Sequence, residues 1–168
     1  MPVGPRGWRA GVGNARTVAE DGAVTTQWTL TFDCTDVERM RHFWRTALGY
    51  VEPRPPEGWS TWEDFLRDQG VPEEEWHTGG GLDDPDGALP DISFLQVPER
   101  KSAKNRLHFD LQVSGGRHID QAERERVIEE TVSRLVAAGG VVQRRDDGAN
   151  GLDHVVMEDP EGNEFCVV

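Results

Sequence analysis

Two short phrases each occur twice in this chain, in the same order and at nearly the same spacing. Leu30-Thr31-Phe32-Asp33 returns as Leu107-His108-Phe109-Asp110, 77 residues later. Asp84-Pro85-Asp86-Gly87 returns as Asp159-Pro160-Glu161-Gly162, 75 residues later. Self-similarity at a fixed period marks a repeated structural unit. The chain is therefore constrained to two like modules, and 168 residues suit one domain or two small, intimately packed halves.

The second copy carries more chemistry. From Leu107 to Val113 apolar and polar residues alternate, the period of a strand with one face in a core. Leu107, Phe109, Leu111 and Val113 are expected to face inward. His108, Asp110 and Gln112 face the other way, an unusual set for a plain solvent face and better suited to the polar floor of a pocket. Lys104, Asn105 and Arg106 stand at its entrance. In the first copy, Trp28 to Cys34 reads as a strand with Leu30, Phe32 and Cys34 inward and Thr29, Thr31 and Asp33 toward the pocket.

A helix follows each of these strands. Thr35 with Glu38 forms a capping box, Val37, Met40, Trp44, Ala47 and Leu48 form one stripe, and Gly49 ends it. Trp44 at this spacing reads as core, with ligand contact as the alternative. Asp120 with Glu123 opens the second helix, whose stripe is Val127, Ile128, Thr131, Val132, Leu135 and Val136. Strands are expected over Ile92 to Val97, Val141 to Gln143, His154 to Met157 and Glu164 to Val168. Between about residues 60 and 78 lies an insertion with Trp62, Phe65, Leu66 and Trp76, a candidate lid or a flap covering the sheet. The fold class is thus α+β, each module running strand, helix and about three strands. The first module takes residues 27–100 and the second 101–168. Residues 1–26, rich in Gly and Pro and without periodicity, read as a disordered tail.

A formal net charge of −13 excludes nucleic acid as a partner, since phosphate recognition needs a basic patch, and it disfavours anionic membrane surfaces. No apolar run approaches the roughly 20 residues that span a bilayer. The two cysteines, Cys34 and Cys166, make no disulfide framework, and a cytoplasmic location is expected.

The duplicated plan, the phrase running from Asp36 through Phe43-Trp44 to Leu48-Gly49-Tyr50, and Asp159-Pro160-Glu161-Gly162-Asn163-Glu164-Phe165 resemble the vicinal oxygen chelate superfamily. This is the fold of glyoxalase I, extradiol dioxygenases and bleomycin-resistance proteins. Phe94-Leu95-Gln96-Val97-Pro98-Glu99 and Lys104-Asn105-Arg106-Leu107-His108 look like its uncharacterised glyoxalase-like branch. The resemblance implies paired half-barrels, with metal ligands on the first and last strands of each module. His108 falls on the histidine position of the second module. Thr29 or Thr31 stands at the matching place in the first, and neither is a good ligand. The glutamate expected on the last strand falls on Cys166, with Glu164 two residues before it on the same face. Gln96 is a loose match for the acidic position of the first module. His42, His77 and His118 fall on a helix, in the insertion and in a loop, while His154 is on a strand.

A divalent metal is therefore admitted but not favoured, with His108 as its ligand if one binds, and no other cofactor is named. Two functions compete. One is a small-molecule binding protein without the full ligand set, using Asp33, Thr31, Trp44, Gln96, Lys104, Arg106, His154 and Cys166. The other is a metal-dependent lyase, isomerase or dioxygenase in which His108, Asp110 and Glu164 move protons. Superfamily members often dimerise, so a homodimer is open.

Overall fold

The computed structural model describes residues 28–168, together with the backbone of a short antiparallel pair, β1 (Thr17–Val18) and β2 (Val24–Thr25). The tail expected over residues 1–26 otherwise lies outside the described residues. The chain divides into two compact units, Met1–Arg41 with Gly49–Pro98, and His42–Leu48 with Glu99–Val168.

In the first unit, β3 (Leu30–Cys34) leads into α1 (Val37–Leu48), then α2 (Trp62–Asp68), a 3-10 helix (Glu73–Thr78), β4 (Gly79–Leu82) and β5 (Ile92–Gln96). The sheet order is β3-β5-β4, with β3 parallel to β5 and β4 antiparallel to it. Alternation buries Cys34, Ile92 and Phe94, and Phe32 stacks on Phe94 with ring centroids 5.6 Å apart. Asp36 stands before the first residue of α1, its Oδ1 accepting the Arg39 N–H at 3.0 Å. Both residue types make good caps, and the helix begins one residue later than the capping box suggested.

Only two of the three strands expected after α1 form. The third is reduced to one bridge, Val51 with Asp83, closed by two backbone hydrogen bonds of 3.0 and 2.9 Å. Pro53, Pro55 and Pro56 follow at once and have no N–H to continue a ladder.

The second unit holds the end of α1, β6 (Asp110–Leu111), α3 (Gln121–Ala137), β7 (Val141–Gly148), β8 (Gly151–Glu158) and β9 (Glu164–Val167). The order β6-β9-β8-β7, with β6 parallel to β9, repeats the plan of the first unit: the opening strand pairs with the closing one. The paired turns repeat as well. Gly87 and Gly162, both at positive φ, donate to Asp84 O and Asp159 O at 3.0 Å. Both sheets are open, with edge strands, so neither closes into a barrel.

The core of this unit packs Ile128, Val132 and Leu135 of α3 with Val155, Met157, Phe165 and Val167 of the sheet. Phe43 and Trp44 complete it, Trp44 standing 5.3 Å from the ring of Phe109 and 5.5 Å from that of Phe165. The organising strand is shorter than its alternation promised. Its ladder starts where Phe109 O accepts the Cys166 N–H at 2.7 Å, so Leu107 lies before it and is 79% exposed, not in the core. No helix among the described residues is long and apolar enough to cross a membrane.

Candidate functional site

One face of the β6-β9-β8-β7 sheet meets the hydrophobic core, and alternation gives the other face its charged residues. Register puts Asp110, Cys166, Val156 and Arg144 in one row across the four strands. Glu164 and His154, each two residues along its strand, share that face.

Three groups meet at Glu164. Lys104 forms an ion pair with its Oε2, and His108 Nε2 stands 3.8 Å from the same oxygen, too far for a hydrogen bond but close enough for charge to matter. The Lys104 ammonium holds the Glu164 carboxyl below the usual range, helped by His108 and Lys101. The loop before β6 thus folds Lys104 onto the last strand.

The Cys166 thiol is pushed up to about 11, first by burial and then by the neighbouring Asp110 carboxylate, which also accepts its hydrogen bond. A thiol in that state is a poor nucleophile at neutral pH. Beyond it runs a chain of polar contacts. Arg144 Nε binds Asp146 Oδ2 at 2.7 Å, His154 Nε2 lies 3.0 Å from the same oxygen, and His154 Nδ1 lies 3.2 Å from Asp153 Oδ2. Arg117 closes the chain on Asp153 Oδ1 at 3.1 Å.

The second unit therefore gathers His108, Glu164 and Lys104 into one cluster, Asp110 and Cys166 into a second, and His154 into a third. Arg106 is exposed on the loop before β6. Trp44 is only 1% exposed and belongs to the core, its indole N–H donating to Asp159 Oδ2 at 3.3 Å. Thr31 and Asp33 are exposed on β3 of the first unit. Gln96 shares the parity of the buried Ile92 and Phe94, and its amide donates to Thr35 O at 3.1 Å. Arg144, Asp146, Asp153 and Arg117 are not among the residues expected from the sequence. Arg144 and Asp146 alternate at strand period, but they lie past the strand expected over Val141 to Gln143, and a bulge between Val142 and Arg144 breaks the alternation there.

The superfamily's metal finds a poor fit in this donor set. Among the described residues no three His, Cys, Asp or Glu side chains are grouped so as to hold an ion. Three of the carboxylates already have a cation from the chain, Lys104 on Glu164, Arg144 on Asp146 and Arg117 on Asp153, while Asp110 accepts from the Cys166 thiol. A divalent ion would have to displace these pairs and meet the repulsion of the cations released.

The family model for the glyoxalase-like domain matches residues 29–168. The chain belongs to that family. No curated protein matches it in sequence. Among solved structures, the fosfomycin resistance protein FosX from Mesorhizobium loti is similar at a TM-score of 0.53 and 14% identity, covering 86% of this chain and 91% of that one. A variant of FosX from Listeria monocytogenes, complexed with Mn(II) and 1S,2S-dihydroxypropylphosphonic acid, gives 0.55 and 11%, covering 86% and 92%. A glyoxalase/bleomycin resistance protein/dioxygenase family enzyme from Burkholderia phytofirmans gives 0.50 and 16%, covering 83% and 94%. At these identities the likeness is one of fold, and a fold hosts many reactions.

Proposed function

We propose that this glyoxalase-like protein binds a small polar organic molecule on the charged face of its second module, without a metal. One observation carries the reading: Glu164, Asp146 and Asp153 are each paired with one of the chain's own cations, Lys104, Arg144 and Arg117. A face so balanced offers donors and acceptors to an organic ligand while giving a bare cation little net attraction. His108 and Glu164 are the polar contacts at one end, and Arg144, Asp146 and His154 those at the other. The free thiols Cys34 and Cys166 fit a reducing cytoplasm, where this reading places the protein.

Thermal-shift screening of chelator-treated protein, against cationic antibiotics and aromatic metabolites, tests the proposal. At least one compound is expected to raise Tm, with the shift lost in His108→Ala and in Glu164→Gln. A silent screen overturns it, as does a shift that appears only when Mn(II) or Zn(II) is added. The latter result would favour the metal-dependent reading of His108.

A further inference from the structure

The first unit contains a cleft of about 260 Å³ between α1 and the insertion. Its lining includes Trp62, Trp76, Arg41, Glu38, Glu63 and His77. Three glycines, Gly79-Gly80-Gly81, begin β4 beside it. The absence of a side chain at Gly80 is what lets Arg41 lie across that strand: a Cβ there would stand 2.5 Å from Arg41 Cδ.

The donors of this cleft are used up. Arg41 Nε donates to Gly81 O at 3.4 Å, one terminal nitrogen pairs with Glu38 at 3.0 Å, and the other pairs with Glu52. Trp62 gives its indole N–H to Pro53 O at 2.8 Å, and Trp76 gives its own to Val71 O at 2.9 Å. What the two tryptophans present to the cleft is therefore ring surface, which attracts positive charge. The insertion already uses this property, because the Arg67 guanidinium lies 5.3 Å over the ring of Trp76. On the charge side, Arg41 is outnumbered by Glu38 and Glu52, and Glu63 adds a further carboxylate. Of the lining side chains, His77 is the remaining one that can donate an N–H. An anion entering here would meet spent donors and surplus carboxylates; a cation would meet aromatic rings and negative charge.

We infer that this cleft is a binding site for a small organic cation, an ammonium or methylated ammonium compound held between the insertion's tryptophans and Glu63. The insertion then serves as the wall of a second site and not simply as a flap.

Calorimetric titration of the full chain with choline tests the inference, with 3,3-dimethylbutan-1-ol as its uncharged counterpart. Saturable binding of choline at up to millimolar concentration is expected, with none for the alcohol. Glu63→Gln should weaken choline binding about fivefold, as befits one exposed carboxylate. Trp62→Phe should weaken it less, because phenylalanine keeps an aromatic face. His108→Ala should leave it unchanged, which separates this site from the one proposed on the second unit. Absence of saturable binding overturns the inference. So do equal affinity for the alcohol, an unchanged affinity in Glu63→Gln, or loss of choline binding in His108→Ala.

Discussion

Asp84 and Asp159 show how one repeated residue takes on two characters. Both open an Asp-Pro-acid-Gly turn and accept backbone N–H groups from it. Backbone hydrogen bonds draw the half-buried Asp84 carboxyl down, whereas burial pushes the buried Asp159 up despite four donors, among them Trp44. The turn itself was legible in the sequence because Pro and Gly fix its dihedrals. The difference in burial was not, because it arises where the end of α1 brings Trp44 onto one turn. Glu164 offers a direct check at the same scale. Its folded carboxyl is held low by Lys104, so the stability it contributes is present above the ordinary glutamate value and is lost as pH falls through its folded value. In Lys104→Ala its carboxyl resonance, followed by NMR, should titrate at higher pH than in the parent. An unmoved titration would show that the ion pair does not hold the group in place.

Among the elements, the helices were easier to read than the strands. Asp120 caps α3 as its spacing with Glu123 announced, accepting the N–H groups of Ala122 and Glu123 at 3.0 and 3.3 Å. Thr61 caps α2 in the same way, accepting from Asp64 at 3.1 Å. A cap is a local bond between neighbours, so local sequence suffices to find it. A strand depends on a partner far away in the chain. That is why the alternation at Leu107 overruns the actual ladder, and why β7 continues through Arg144-Arg145-Asp146-Asp147, past the strand expected over Val141 to Gln143. Removing the cap in Asp120→Ala should cost about 1 kcal/mol. For a chain of this size, that is a fall of about 2–4 °C in Tm by circular dichroism. A Tm within half a degree of the parent would mean that solvent replaces the cap without loss.

At the scale of the whole molecule, the repeat read from two short phrases reappears as two sheets of the same plan, each with its opening strand parallel to its closing one. The repeat is worn in the first unit, where three prolines and an aromatic insertion replace a strand, and preserved in the second, where the charged face is built. The family was legible because its motifs lie in turns and helix ends. The ion pairs of Lys104 with Glu164 and of Arg117 with Asp153 were not, since each joins residues distant in sequence. Those pairs decide the account, because they fill with internal cations the places where a metal would need free carboxylates. The most direct measurement is elemental analysis of protein purified without chelator or a metal-affinity step, then dialysed against Mn(II) and Zn(II) in turn and passed through gel filtration. The account predicts far less than one equivalent of either metal in the parent and in His108→Ala alike. One equivalent retained by the parent and lost in His108→Ala would contradict it.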